Sequence, residues 1–128
     1  MIKTKRVLVV DDEAVVRESL EQFLEDCDYG VVTADSAIAA LAFLQTGELF
    51  DIAVVDIRMP EMNGEDFIIE ARGILPNLKF LIQTGTLDYR VSVALQEFGL
   101  SDENVLKKPV FELQTYVDKI EEILSTPH

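Results

Sequence analysis

Five times along this chain a short apolar run, rich in β-branched residues, stops at a polar residue and gives way to a longer segment with helical features. That alternation admits few arrangements besides stacked β-α units. Arg6-Val7-Leu8-Val9-Val10 ends in Asp11-Asp12-Glu13 and predicts strand β1 over 6–10. Val16, Leu20, Phe23, Leu24 and Cys27 then recur at helical spacing, with Arg17, Glu18, Glu21, Gln22 and Glu25 on the other faces, which predicts α1 over 16–27. The pattern repeats as β2 over 30–34, Ser36 as a helix cap, and an alanine-rich α2 over 37–45 stopped near Gly47. Strand β3 over 52–55 ends in Asp56, and a loop with Pro60 and Gly64 leads to α3 over 65–75. Strand β4 over 79–84 ends in Thr84, Asp88 caps α4 running to Phe98, and Gly99 fits the residue just past its end. A short β5 over 104–107 precedes Lys108-Pro109, and Leu113, Tyr116, Val117, Ile120, Ile123 and Leu124 form the apolar stripe of α5 over 113–124.

Strands that are apolar throughout need cover on both faces, and helices between them give right-handed crossovers. The fold class expected is therefore α/β, a doubly wound five-stranded parallel sheet with five helices. At 128 residues, one compact core suffices. No linker or composition break marks a second domain, so the reading is a single domain over 1–128, its core at 6–124, with no output domain in this chain.

No apolar run approaches the roughly 20 residues needed to cross a bilayer, and nothing at the N-terminus suggests export, so a cytoplasmic location is expected. The lone Cys27 excludes an internal disulfide and reads as a packing thiol on the α1 stripe. A formal charge of −13 repels phosphates, which argues against direct contact with nucleic acid or anionic lipid and towards protein partners with basic surfaces.

The informative residues stand at the carboxyl ends of the strands, where doubly wound sheets gather ligands. Asp11 and Asp12 follow β1, Asp56 ends β3, Thr84 ends β4 and Lys108 follows β5. Each has an ordinary explanation alone: Asp12 as a cap for α1, Asp56 as a turn former, Thr84 as a strand residue, Lys108 as a solvated charge. Together they are harder to dismiss, because carboxylates crowded at one rim repel by roughly 4 kcal/mol per pair at about 4 Å and an effective dielectric near 20. A hard divalent cation, Mg²⁺ or Mn²⁺, offsets that repulsion through oxygen ligands, and Lys108 adds a positive charge opposite. A carboxylate, a metal, a hydroxyl and a lysine are the parts required for phosphoryl transfer to an aspartate, with Asp56 as nucleophile.

The same residues resemble the receiver domains of two-component response regulators, the CheY-like family. The likeness runs from about Arg6 to Leu124 and rests on Val-Val-Asp11-Asp12-Glu, Val-Val-Asp56-Ile-Arg-Met-Pro60-Glu-Met-Asn-Gly64, Ile-Gln-Thr84-Gly85 and Leu-Lys-Lys108-Pro109. The resemblance implies a flavodoxin-like sheet of order 2-1-3-4-5 and a phosphoacceptor at Asp56. It places the metal on Asp12, Asp56 and the backbone carbonyl of Arg58; from its strand-end position, Asp11 is expected to assist through water. It assigns the switch hydroxyl and lysine to Thr84 and Lys108, makes the Lys108-Pro109 bond a candidate for cis, and has Gly64 let the loop after β3 meet α3. It also implies a readout surface at α4-β5-α5, offered to an effector protein or a second copy.

Two features depart from the family pattern or remain open. Val105 stands where many receivers carry a Tyr or Phe, and a valine is too small and stiff to reproduce a ring's two packed positions, so the signal is expected to travel by the β4-α4 loop, with Tyr89 as a minor contributor. Arg58 and Thr86 flank the site where water reaches a phosphoryl group; Arg58 either pairs with Glu61 or Glu65 or is solvated, while Gly85 leaves room beside the phosphate.

The sole histidine, His128, stands at the end of the chain and is read as having no role. The donor is thus expected to be a phosphohistidine on a sensor histidine kinase or a histidine phosphotransfer protein. The chain is not expected to be an enzyme: an aspartate-nucleophile phosphatase needs a second Asp where Arg58 stands. The other reading is a binding module on the same fold that works without phosphorylation.

Overall fold

The computed structural model describes residues 4–126, so His128 lies outside the described residues. Its elements run β1 (Arg6–Val10), α1 (Ala14–Asp26), β2 (Gly30–Ala34), α2 (Ala37–Gln45), β3 (Ile52–Asp56), α3 (Gly64–Ile74), β4 (Lys79–Thr84), α4 (Val93–Gln96), a 3-10 turn (Asp102–Asn104), β5 (Val105–Lys107) and α5 (Gln114–Ser125). The five strands form one sheet in the order β2-β1-β3-β4-β5, every pairing parallel. This is the doubly wound sheet expected. No helix among the described residues is long and apolar enough to cross a membrane.

The period of two along each strand divides the core into two layers. Leu8, Val10, Ala53, Val55, Phe80 and Ile82 face α2, α3 and α4, where they meet Leu41, Phe67, Ile68 and Leu95. Val7, Val9, Ile52, Val54 and Leu81 face α1 and α5, against Leu20, Leu24, Val117 and Ile120. Cys27 packs partly buried at the edge of this second layer. Strand β3, paired on both sides and covered on both faces, is buried along its whole length, so Asp56 ends a strand with no exposed residue.

Most helix starts follow local chemistry. The Ser36 side chain accepts the Ala39 N–H at 3.1 Å, and Asn63 accepts the Asp66 N–H at 2.9 Å, which begins α3 one residue earlier than the apolar pattern suggests. Asp12 caps nothing: α1 starts after Glu13 without a side-chain cap. The Lys108-Pro109 peptide is cis.

The expectation for α4 is corrected. Asp88 does not start a helix; Ser92 caps one of four residues, its hydroxyl accepting the Leu95 N–H at 3.3 Å. The segment before it is held open from outside. Lys107 Nζ donates to the carbonyls of Thr86 and Tyr89, each at 3.1 Å, and Gln96 Nε2 donates to the Val91 carbonyl at 3.0 Å. Side chains thus satisfy carbonyls that a longer helix would have used, and Val91 is free to turn into the core. The helix also ends earlier than expected, at Gln96 rather than Phe98, and a turn carries the chain to Gly99, which takes a φ of 89° while the Leu100 N–H reaches back to the Leu95 carbonyl.

Gly64 is required by close approach. A Cβ there would collide with the Asp56 carbonyl oxygen and lie 2.9 Å from the Ile57 Cα. Both obstacles are backbone, so neither can swing aside, and Gly64→Ala should cost about 1–3 kcal/mol or more. Urea unfolding should show this as a lower midpoint at unchanged slope; an unaltered midpoint would mean the α3 start can shift freely.

Candidate functional site

Four polar side chains are buried among the described residues, Asp11, Asp56, Gln83 and Thr84, and all four stand at or just beyond the carboxyl ends of β1, β3 and β4. Apart from Arg6 and Lys79 at their amino ends these strands are otherwise apolar, so the buried polar groups collect where the pleated ladders end and the loops begin. Asp11, Asp12 and Asp56 each bring one carboxylate oxygen within 4.8 Å of the others. Asp11 is wholly buried, Asp56 is 6% exposed, and Asp12 faces outward. Asp12, Glu13, Asp56, Arg58, Gly85, Thr86 and Lys108 line the open recess above them.

Among the described residues, one cation pairs with this negative charge. Lys108 Nζ lies 3.1 Å from Asp11 Oδ2, 3.2 Å from Glu13 Oε1 and 3.7 Å from Asp56 Oδ2, with its side chain 17% exposed. The Lys108 N–H also donates to the Thr84 carbonyl at 2.7 Å, so backbone and side chain both tie the residue to the rim. Burial pulls the Lys108 ammonium down, but its bond to Asp11 and the charges of Asp11 and Asp56 outweigh that and hold it above the ordinary lysine value.

Asp11 is committed on every side. Its Oδ1 accepts the Glu13 N–H at 2.8 Å, and its Oδ2 accepts from Gln83 Nε2 at 2.7 Å as well as from Lys108. Asp56 is less well served. Burial and then the Asp11 charge push its carboxyl up to about 6, while Lys108 and the backbone N–H of Arg58 work against the rise. A buried carboxyl short of partners beside two others is a site that gains from a further positive charge. The donor set, three hard oxygens on carboxylates, suits Mg²⁺ or Mn²⁺.

The remaining expected residues separate into those the fold brings to the recess and those it does not. Thr84 is buried, and its hydroxyl oxygen accepts the Thr86 N–H at 3.1 Å. Gly85 lines the recess, and nothing lies within 4 Å of the place a Cβ would take. The Arg58 side chain is exposed and forms no salt bridge among the described residues, which decides for the solvated alternative; Glu65 instead accepts from the Tyr89 hydroxyl at 2.5 Å. Val105 packs half-buried on the α2-α3-α4 side of the sheet, outside the recess. Pro109 follows Lys108 into a neighbouring groove.

Sequence reasoning missed three participants. Glu13 is the second partner of Lys108, Gln83 anchors Asp11, and the Tyr116 hydroxyl donates to Gln83 Oε1 at 2.6 Å. A signal existed for two of them: an amide inside the run Lys79-Phe-Leu-Ile-Gln-Thr84, and a phenol on an otherwise apolar helix stripe, each need a partner when buried.

Set beside known proteins, the chain matches the sequence profile of the response regulator receiver domain over residues 7–121. The chain belongs to this family. It is 35% identical to the response regulator receiver protein CpdR of Brucella abortus over 120 residues, 94% of this chain and 97% of that protein. It is also 35% identical over 100 residues to the alginate biosynthesis transcriptional regulatory protein AlgB of Pseudomonas aeruginosa, covering 78% of this chain but only 22% of AlgB's length. Among solved structures, the response regulator TrrA of Thermotoga maritima, in complex with Mg²⁺-BeF, superposes with a TM-score of 0.78 at 28% identity, over 94% of this chain and 99% of that one. The receiver reading and the CheY-like fold implied by the motifs thus hold.

The raised Asp56 value has a consequence for stability. Between pH 3.8 and about 6 the folded chain keeps a proton that the unfolded chain has released, so this group favours folding at low pH, and the contribution is lost as pH rises through about 6. A permanently neutral Asp56→Asn should therefore stabilise the metal-free protein at about pH 7.5, by an amount on the order of 1–3 kcal/mol, and the gain should shrink towards about pH 4. Denaturant midpoints measured in chelator across that range test this, and a gain independent of pH would contradict it.

Proposed function

We propose that this receiver domain is a phosphoacceptor switch in which the Asp56 carboxylate takes a phosphoryl group from a phosphohistidine on a partner protein. The observation that carries the reading is the convergence of Asp11, Asp12 and Asp56 with Lys108 at one open recess. An Asp56 oxygen attacks phosphorus, the phosphorus-nitrogen bond of the donor breaks, and the imidazole leaves. Asp56 must be ionised to attack, and a carboxyl titrating near 6 is mostly so at neutral pH. Lys108, already within 3.7 Å of Asp56, pairs with an oxygen of the incoming group, and the Thr84 hydroxyl, released from the Thr86 N–H, donates to another. The exposed recess beside Gly85 leaves the group room.

Asp12, Asp56 and the Arg58 carbonyl would hold Mg²⁺ or Mn²⁺, with Asp11 assisting through water because protein donors already occupy both its oxygens. When bound, the ion supplies charge neutralisation for the phosphoryl oxygens. That TrrA is described with Mg²⁺-BeF supports this reading of the acidic cluster.

The chain acts as a signalling phosphoacceptor rather than a turnover enzyme, and as one receiver domain in the cytoplasm. Its donor is a sensor histidine kinase or histidine phosphotransfer protein. Movement of Thr84 and Lys108 towards the phosphoryl group disturbs the β4-α4 loop, which Lys107 and Glu65 otherwise hold through Thr86 and Tyr89. The α4-β5-α5 surface then presents a changed face to an effector protein or a second copy.

Intact-protein mass after incubation with Mg²⁺ and acetyl phosphate tests the assignment. Wild type should gain one phosphoryl group, about 80 Da, and Asp56→Asn should not. An adduct that persists in Asp56→Asn would move the acceptor elsewhere, and none under any condition would favour a binding module that works without phosphorylation.

A further inference from the structure

The sheet buries an amide where the mechanism above does not need one. Gln83 is wholly buried on β4 and shares the α1-α5 face of the sheet with Leu81. Its Nε2 donates to Asp11 Oδ2 at 2.7 Å, and its Oε1 accepts from the Tyr116 hydroxyl at 2.6 Å. The amide's orientation follows from chemistry: an ionised Asp11 can only accept, so the NH₂ group must face it and the oxygen must face the phenol. Tyr116, 4% exposed, sits in the first turns of α5, and burial pushes its hydroxyl up to about 12, so it stays a donor. Asp11 Oδ2 also takes Lys108, the lysine that spans Asp11 and Asp56.

We propose that Gln83 is a positioning residue that fixes the Asp11 carboxylate beside Lys108 and, through the Tyr116 hydroxyl, couples the occupancy of the acidic recess to helix α5. The route is a continuous chain of contacts, Asp56 to Lys108 to Asp11 to Gln83 to Tyr116, buried at every member but the partly exposed Lys108. When a divalent cation enters the recess, Lys108 redistributes among its three carboxylates. Asp11 Oδ2 is the atom it shares with Gln83, so the amide follows, and Tyr116 carries the change into α5. This runs on the opposite face of the sheet from Val105 and does not need a ring at that position. The inference rests on the cation reading of the recess.

Amide NMR of the full chain during a titration with Mg²⁺ alone tests both and separates them. In wild type, the amides of Asp12, Asp56 and Arg58 and those of residues 116–120 should shift with one midpoint. Gln83→Met, similar in length but without the amide, should keep the recess response and lose at least about threefold in the shift amplitude on α5. Tyr116→Phe, which removes one oxygen and keeps the ring, should do the same and serves alone if Gln83→Met does not fold. A full α5 response in either folded variant would overturn the coupling and leave Gln83 a satisfied core amide. Recess shifts without α5 shifts in wild type would overturn the coupling alone, whereas no recess shifts in wild type would overturn the cation reading and this inference with it.

Discussion

The ammonium of Lys108 among Asp11, Glu13 and Asp56 is the interaction on which the site depends. Without a positive charge there, two buried carboxylates would share one rim of a low-dielectric sheet, an arrangement that carboxylates avoid by protonation or displacement. The lysine offsets only part of this. It bonds Asp11 closely and stands farther from Asp56, whose carboxyl burial and then the Asp11 charge still hold above the ordinary range. A group left with unmet negative charge, under an open recess, is well placed to gain from a cation and to react with an electrophilic phosphorus.

The fold's contribution is placement. Parallel pairing of β1, β3, β4 and β5 brings four strand ends to one edge, and cover on both faces keeps water from the bodies of the strands while leaving their ends open. Gly64 allows α3 to begin against the Asp56 backbone, which fixes the loop that carries Arg58. The Gly64 N–H donates to the Ile57 carbonyl at 2.9 Å, so the chain turns tightly just past the Asp56 carboxylate. Burial of Gln83 and Tyr116 adds a polar path from this edge to α5 at no cost in unmet hydrogen bonds, since no buried side-chain nitrogen or oxygen among the described residues lacks a partner.

Much of this was legible in the sequence, for a physical reason. Buried parallel strands must be apolar along their length, so a polar residue that ends such a run marks a strand terminus and, by the geometry of the fold, the ligand edge. Asp11, Asp56, Thr84 and Lys108 stood out on that ground, and the family motifs supplied the order of the sheet. What was illegible depends on partners distant in sequence. The short α4 reflects Lys107 reaching back to the carbonyls of Thr86 and Tyr89, which no local cap or periodicity reports. The pairing of Gln83 with Tyr116 and Asp11 required knowing which sheet face each residue takes, and Glu13 meets a lysine 95 positions away.

On the proposed reading the acidic recess is a cation site completed by Asp12 and Asp56. The most direct measurement is thermal unfolding of wild type and of Asp12→Asn across a Mg²⁺ series at fixed ionic strength. Binding to the folded chain alone predicts a melting temperature that climbs with Mg²⁺ in wild type, equivalent to about 2.7 kcal/mol at a hundredfold excess over the dissociation constant, and little or no climb in Asp12→Asn. Equal melting temperatures at every Mg²⁺ concentration in wild type would contradict the claim.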